Sequence, residues 1–335
     1  MKVNTKNDVY TLMSSATPAA ALGAAIETGM VWLLADKPMS AQEIIQTLSI
    51  PGKRGYIWLQ LLEKIGVLEI GPDGYSLTAP AREAIIESRS RLSWQHLAQD
   101  ERERSAGVHN LARYIREPGS MWAAQGLTEP RNYVEKMKLD IRRAHEFTRM
   151  LYELHQYLGN ELAALLDLTG VHRLLDIGGG SGVVSMALLR KYPDLTVTVL
   201  DIENVCTAGR EIAAEASLSD RISYCPVDFP HEELPGGFDM ILQCDVSIFG
   251  EGLYRRMYAS LNPGGRLIMA NHFPQAENLA PASTVMWRFL DSLEDPNFVY
   301  PTVAQTRAEW AKAGFHVFPG EHTLSDNRIV IQAQK

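Results

Sequence analysis

The sequence predicts an α/β fold, an open parallel sheet with helices on both faces, preceded by a smaller, mostly helical domain. Three observations carry this. From Val171 onward, strand-like runs at 173–177, 196–200, 222–225, 238–242 and 265–270 alternate with helical stretches, the pattern of a parallel sheet with helical crossovers. The first run ends in a glycine-dense turn, Gly178-Gly179-Gly180-Ser181-Gly182, that opens a helix near Val183. Before residue 160 the period is helical, broken by one hairpin signal.

The N-terminal domain is expected over 1–95. Residues 19–35 are rich in Ala, Leu, Ile, Met and Trp on most sides, the mark of a helix buried against something larger than a small domain. Ser40 and Glu43 have the spacing of a capping box. A helix follows over 55–65, with Trp58, Leu61, Leu62 and Ile65 on one side. Leu68-Glu69-Ile70, a Gly71-Pro72-Asp73-Gly74 turn and Tyr75-Ser76-Leu77 read as a hairpin. Helix, helix, helix, hairpin is the order of a winged helix. Between Ser40 and Pro80 the bases are Lys53, Arg54 and Lys64, against Glu43, Glu63, Glu69 and Asp73. That balance neutralises few phosphates and argues against nucleic acid.

A helical linker is expected over 96–160. The segment 90–122 is polar, and its run Asp100–Arg104 reads as a solvated face. A helix over 131–158 carries Phe147, Met150, Leu154 and His155. The domain over 161–335 ends with a helix at 303–313, closed by Gly314, and a strand pair at 316–318 and 328–331.

The glycine turn defines the expected site. Glycines at 178, 180 and 182 allow positive φ and let a ligand lie on the main chain, facing the free N–H groups of a helix start. Asp176, just before the turn, repels a pyrophosphate but suits an ammonium. The ligand expected is therefore S-adenosyl-L-methionine rather than a dinucleotide. Asp201 closes the second strand, placed for two ribose hydroxyls. Asp228 and Phe229 follow the third, suited to an adenine amine and ring face. As alternatives, Asp201 is a helix cap and Asp228-Phe229 an ordinary turn.

The motifs Leu174–Gly182, Val199-Leu200-Asp201, Val227-Asp228-Phe229, Phe238–Leu242, Leu261–Leu267 and Ala313-Gly314-Phe315 make the chain resemble the dimeric S-adenosylmethionine-dependent O-methyltransferases of the plant caffeate and bacterial antibiotic type. The resemblance implies a Rossmann-like class I methyltransferase domain with an N-terminal all-α/winged-helix dimerisation domain, and a homodimer. It places Phe147 and Met150 at the acceptor pocket. That family sets His-Asp-Trp after the fourth strand, its histidine taking the acceptor proton. Counting back from Gly264-Gly265, the histidine should fall near Gln243 or Cys244. Gln243 is retained as a cofactor contact. Asp245, with a pKa raised by burial, and His272, after the fifth strand, are the candidate catalytic bases. Met286 and Trp287, with His155, are candidate acceptor contacts, suited to a flat aromatic. Arg288 could pair an anionic acceptor. A break is expected at Asp295-Pro296-Asn297.

The expected activity is methylation of a small aromatic metabolite at oxygen. Alternatives are C-methylation, as in bacteriochlorophyll-type relatives, a non-methylating pericyclase or hydroxylase, or a ligand-sensing winged-helix regulator. A net charge of −8 gives no basic footprint for nucleic acid or anionic membranes. Cys206, Cys225 and Cys244 lack metal-ligand spacing and an even pairing. No metal is expected, and with no visible signal peptide a cytoplasmic setting is.

Overall fold

In the computed structural model, which describes residues 2–117, 119–121, 133–274, 282–295 and 297–335, the apolar stretch expected as one helix over 19–35 is two. After α1 (Lys6–Met13), α2 (Ala16–Glu27) and α3 (Met30–Asp36) meet at Gly29, whose φ of +79° turns the chain. Ala25, Met30, Val31 and Leu34 from this pair are fully buried. Ser40 caps α4 (Ala41–Thr47) with the reciprocal Glu43 bonds the sequence predicts. α5 (Gly52–Lys64) buries Gly55, Leu59 and Leu62, while Ile65, expected on the inner face, is 38% exposed. Gly55 sets that face: a Cβ there would lie 2.5 Å from Ile45.

The hairpin β1 (Leu68–Gly71) and β2 (Gly74–Leu77) pairs as expected. α6 (Ala79–Ala81) and a π-turn segment, Arg82–Glu87, lead to α7 (Arg91–Val108). The charge run on α7 is paired as well as solvated: Arg102 bridges to Glu27, and Arg104 to Glu101. These elements form one compact unit, Met1–Asn110; the second is Leu111–Lys335. Their boundary falls inside the segment expected to link two domains.

The second unit begins with α8 (Leu111–Tyr114). Trp122 and residues 131–132 lie outside the described residues. The single helix expected over 131–158 is divided into α9 (Tyr133–Leu139), α10 (Ile141–Leu154) and α11 (Gln156–Leu165). Asp140 makes the first break, its carboxylate accepting from the N–H groups of Arg142 and Arg143. His155 sits at the second.

The sheet then builds through β3 (Arg173–Ile177), α12 (Val183–Lys191), β4 (Thr196–Asp201), α13 (Glu203–Glu215), β5 (Ile222–Pro226), β6 (Phe238–Cys244), α14 (Glu251–Ser260), β7 (Leu261–Asn271), α15 (Ala282–Glu294), α16 (Val303–Ala313), β8 (His316–Thr323) and β9 (Ile329–Gln334). Strand order is β5-β4-β3-β6-β7-β9-β8. Only β9 runs antiparallel to its neighbours in this sheet, and with β8 it forms the closing pair expected at 316–318 and 328–331. Alternate residues serve opposite faces: Leu174, Val197, Val199, Met240 and Leu242 join one core, Leu175, Ile177, Leu200, Ile241 and Leu267 the other. The end of α15 falls at the expected break; Pro296 lies outside the described residues. Together the two units are an N-terminal, mostly helical region followed by a Rossmann-like sheet. The chain steps outward from β3 to β5, then returns to pair β6 on the other side of β3. Ligands of such sheets bind where that order reverses, at the carboxyl ends of the strands.

Candidate active site

Gly178, Gly180 and Gly182 have φ of +66°, +57° and +75°, so the turn after β3 needs the glycines the sequence places there. Gly182 is the N-cap of α12. Around Gly180 nothing lies within 4 Å of where a Cβ would stand, leaving an open cradle over the backbone. Gly179, passed over in the sequence, is needed for contact: a Cβ there would come within 2.4 Å of the Asp176 carboxyl group. Asp176 is 1% exposed. Its Oδ2 accepts from Ser185 Oγ at 2.6 Å, and its Oδ1 has no partner. Burial pushes its pKa up to about 6, opposed by the Ser185 bond and assisted by the charge of Asp201.

Asp201 ends β4. Its carboxylate accepts from Gly180 N at 3.0 Å and Ile202 N at 2.8 Å, so it ties the glycine turn to the neighbouring strand. Burial lifts its pKa to about 6, against those two bonds. The N-cap of α13 is Ile202, so Asp201 is not the cap. Asp228 is half-exposed and its carboxylate meets His231 Nδ1 at 3.2 Å. Phe229 is buried, packed near Gly178 in the same core as Val246.

Gln243 is fully buried in β6. Its Nε2 donates to Ile248 O at 3.0 Å, and its Oε1 has no partner. An amide cannot act as a base, so the position does not supply the histidine the family motif carries. Gln243 instead pins the loop after β6, with three further bonds: Asp245 N to Ala270 O, Asn271 Nδ2 to Val246 O and Arg328 Nη2 to Asp245 Oδ2. This loop carries Val246 against Gly178, where a Cβ would lie 2.6 Å from its side chain. Val246 is a contact the motif count missed.

Asp245 has φ of +55°, a conformation Asp tolerates better than most residues. Burial raises its pKa, but Arg328, through charge and a 2.8 Å hydrogen bond, outweighs this with help from His155 and His272, and the net shift is downward. The expected raised pKa is therefore reversed: Asp245 stays a carboxylate and is a weak base. Arg328, 4% exposed just before β9, also pairs with Asp326 and reaches Tyr157 Oη and His155 Nε2. Sequence reasoning assigns Arg328 no role; an arginine just before an apolar strand run is the signal it offers.

Asp245, His155 and His272 are thus brought together around Arg328. His272 follows β7. Its backbone N–H donates to Asn271 Oδ1, and its Nδ1 is buried without a partner. Burial, the charge of Arg328 and that of Arg288 lower its pKa; Asp245 alone opposes. The imidazole is neutral at pH 7.

The expected acceptor residues are more dispersed. Phe147 packs with Met137, Ala144, Ile202 and Val205, beside the segment that follows Asp201. Met150 is buried on α10, while Met286 and Trp287 on α15 are 53% and 45% exposed. Among the described residues no group of three His, Cys, Asp or Glu side chains could hold a metal ion. No single helix among them is long and apolar enough to cross a membrane.

The profile of the O-methyltransferase domain family matches residues 109–298. The chain belongs to that family. It is a transferase of the S-adenosylmethionine-dependent methyltransferase class. It is similar to a 3-hydroxy-5-methyl-1-naphthoate 3-O-methyltransferase from Streptomyces sahachiroi, 29% identical over 280 residues, 79% of this chain and 76% of the relative. It is similar to an L-tyrosine C(3)-methyltransferase from Streptomyces lavendulae, 27% identical over 278 residues, 78% and 73% of the two chains. The fold matches a structure described as PigF with SAH, with a TM-score of 0.87 at 19% identity, covering 99% of this chain and 100% of that one. The residues at the turn fit the cofactor of this class: a buried carboxylate with one idle oxygen and an open cradle over Gly180.

Proposed function

We propose that the protein methylates a small aromatic metabolite at a phenolic oxygen, with His272 as the base. The idle, buried Nδ1 of His272, a ring that feels the charge of the Asp245 carboxylate, carries this reading. A neutral imidazole accepts the hydroxyl proton, and the carboxylate favours the imidazolium that results. Asp245 holds its charge because Arg328 holds it. Asp176 Oδ1 would receive the ammonium of S-adenosylmethionine, Asp201 the ribose, Asp228 and Phe229 the adenine, with Gln243 supporting the loop above. The cofactor, when bound, supplies an electrophilic methyl group on a sulfonium. The backbone at Gly178, Gly180 and Gly182 and the Asp201 brace fix where that group stands, and orientation contributes much of the acceleration.

Phe147, Met150 and His155, with Met286 and Trp287, are proposed to receive the acceptor. A second reading is C-methylation at the carbon ortho to the same hydroxyl; deprotonation activates both atoms, and similarity to an L-tyrosine C(3)-methyltransferase favours it. The N-terminal unit is proposed to form a homodimer, supported by Tyr10 and Met13 of α1, which are 74% and 81% exposed. Methyl-labelled S-adenosylmethionine with a panel of phenols tests the reading. Label on oxygen, lost in His272→Asn, supports it; transfer unaffected by that substitution removes His272 from the role.

A further inference from the structure

Tyr224 stands on β5, an edge strand of the sheet, yet its side chain reaches the glycine turn that follows β3. The register explains how. Asp176 pairs with Val199 and Val199 with Tyr224, so the three side chains form a row on one face, across three strands. Tyr224 is 8% exposed, and its Oη donates to Ser181 O at 2.7 Å. Burial, with the charge of Asp176, raises the phenol's pKa well above its ordinary value, so the hydroxyl stays a donor. Two glycines make room for the ring. A Cβ at Gly209 on α13 would lie 2.2 Å from it, and one at Gly182 would lie 2.7 Å from its Oη.

The Ser181–Gly182 peptide is thereby held at both ends, since Gly182 N donates to Gly179 O at 2.8 Å. Gly178 N and Gly180 N are taken by Leu200 O and the Asp201 carboxylate. That leaves the N–H groups of Gly179 and Ser181, which have no acceptor among the described residues.

We propose that Tyr224 is a positioning residue for the cofactor: its hydroxyl fixes the Ser181–Gly182 peptide, and with it the shape of the turn that receives the amino-acid end of S-adenosylmethionine. Asp201 braces the turn from β4 through an N–H group, and Tyr224 braces it from β5 through a carbonyl. Ser181 is 3% exposed. Without the phenol its carbonyl is buried and unpaired, and the peptide rotates toward another donor. The two open N–H groups of the turn then lose their fixed direction, and the amino-acid end is held less tightly. The nucleoside end, assigned to Asp201, Asp228 and Phe229, does not depend on that peptide. This rests on the reading that places the ammonium at Asp176.

The test is calorimetric titration of the full chain and of Tyr224→Phe with S-adenosylhomocysteine and with methylthioadenosine, which keeps the nucleoside and the sulfur but lacks the amino-acid end. Phe keeps the ring against Gly182 and Gly209 and removes only the donor. In the variant S-adenosylhomocysteine should bind about 3–10-fold more weakly, the weight of one neutral hydrogen bond, while methylthioadenosine binds as in the parent. A merely loosened fold would weaken both ligands alike. Unchanged affinity for S-adenosylhomocysteine, or an equal loss for the two ligands, overturns the proposal. A selective loss in Tyr224→Phe, with Asp176→Asn binding S-adenosylhomocysteine as the parent does, would leave the Tyr224 brace standing and defeat the ammonium reading of Asp176.

Discussion

Replacing Asp176 with Asn should move stability and cofactor affinity in opposite directions. The side chain keeps its shape and its contact with Ser185, but loses the charge that burial opposes. Burial lifts the folded-state pKa to about 6, from the ordinary carboxylate value of 3.8. At about 1.36 kcal/mol per unit, the charged form costs the unliganded protein on the order of 3 kcal/mol. Because the pKa is raised, that penalty is absent below the unfolded value, where the group is protonated in both states. It grows as pH rises and is complete above about 6. Unliganded Asp176→Asn should therefore match the parent near pH 4 and be the more stable protein near pH 7, read from denaturant unfolding. Asn cannot answer an ammonium with a charge, so affinity for S-adenosylmethionine should fall by about 1.5–3 kcal/mol, a charge-assisted hydrogen bond. Affinity of the parent should itself rise with pH as Asp176 ionises. A variant that is less stable at pH 7 with unchanged affinity would refute this account of the buried carboxylate.

Asp201→Ala should weaken cofactor binding by about 1–3 kcal/mol in calorimetry, since it frees Gly180 N as well as removing the ribose partner; unchanged affinity would take Asp201 out of the site. His272→Asn should lower kcat by about 10²–10⁴-fold at saturating cofactor. Its lowered pKa keeps the base form present at neutral pH, so the parent's acid limb should lie below the ordinary histidine value and vanish in the variant. Gln243→His should bring no rate gain on any accepted phenol, because that position is fully buried and its amide holds Ile248; a gain would show that the loop opens to the acceptor.

The sheet was legible because strand and helix periods alternate without interruption from Val171, and β3, β4 and β6 run into a glycine or an aspartate at Gly178, Asp201 and Asp245. The capping box at Ser40 and the hairpin turn are local signals and needed nothing distant. Helix breaks were harder. Ala, Leu and Ile surround Thr28-Gly29, and composition masked the one residue that turns the chain. Asp140 acts as a cap only because its side chain reaches two following N–H groups. The motif count placed the missing base near Gln243 without knowing that β6 runs to Cys244 with Gln243 buried in it. The sign of the Asp245 shift was out of reach for a different reason. It depends on Arg328, which is 83 residues away and meets Asp245 only when β9 completes the sheet. His272 was visible as a polar residue at a strand end, but its idle Nδ1 is a property of packing.

The central claim is tested most directly by incubating the protein with methyl-labelled S-adenosylmethionine and aromatic hydroxy compounds, and locating the label by mass spectrometry and NMR. The account predicts S-adenosylhomocysteine and a labelled small aromatic product in equal amounts, with formation dependent on His272. Micromolar cofactor binding with no label transferred to any acceptor would contradict it.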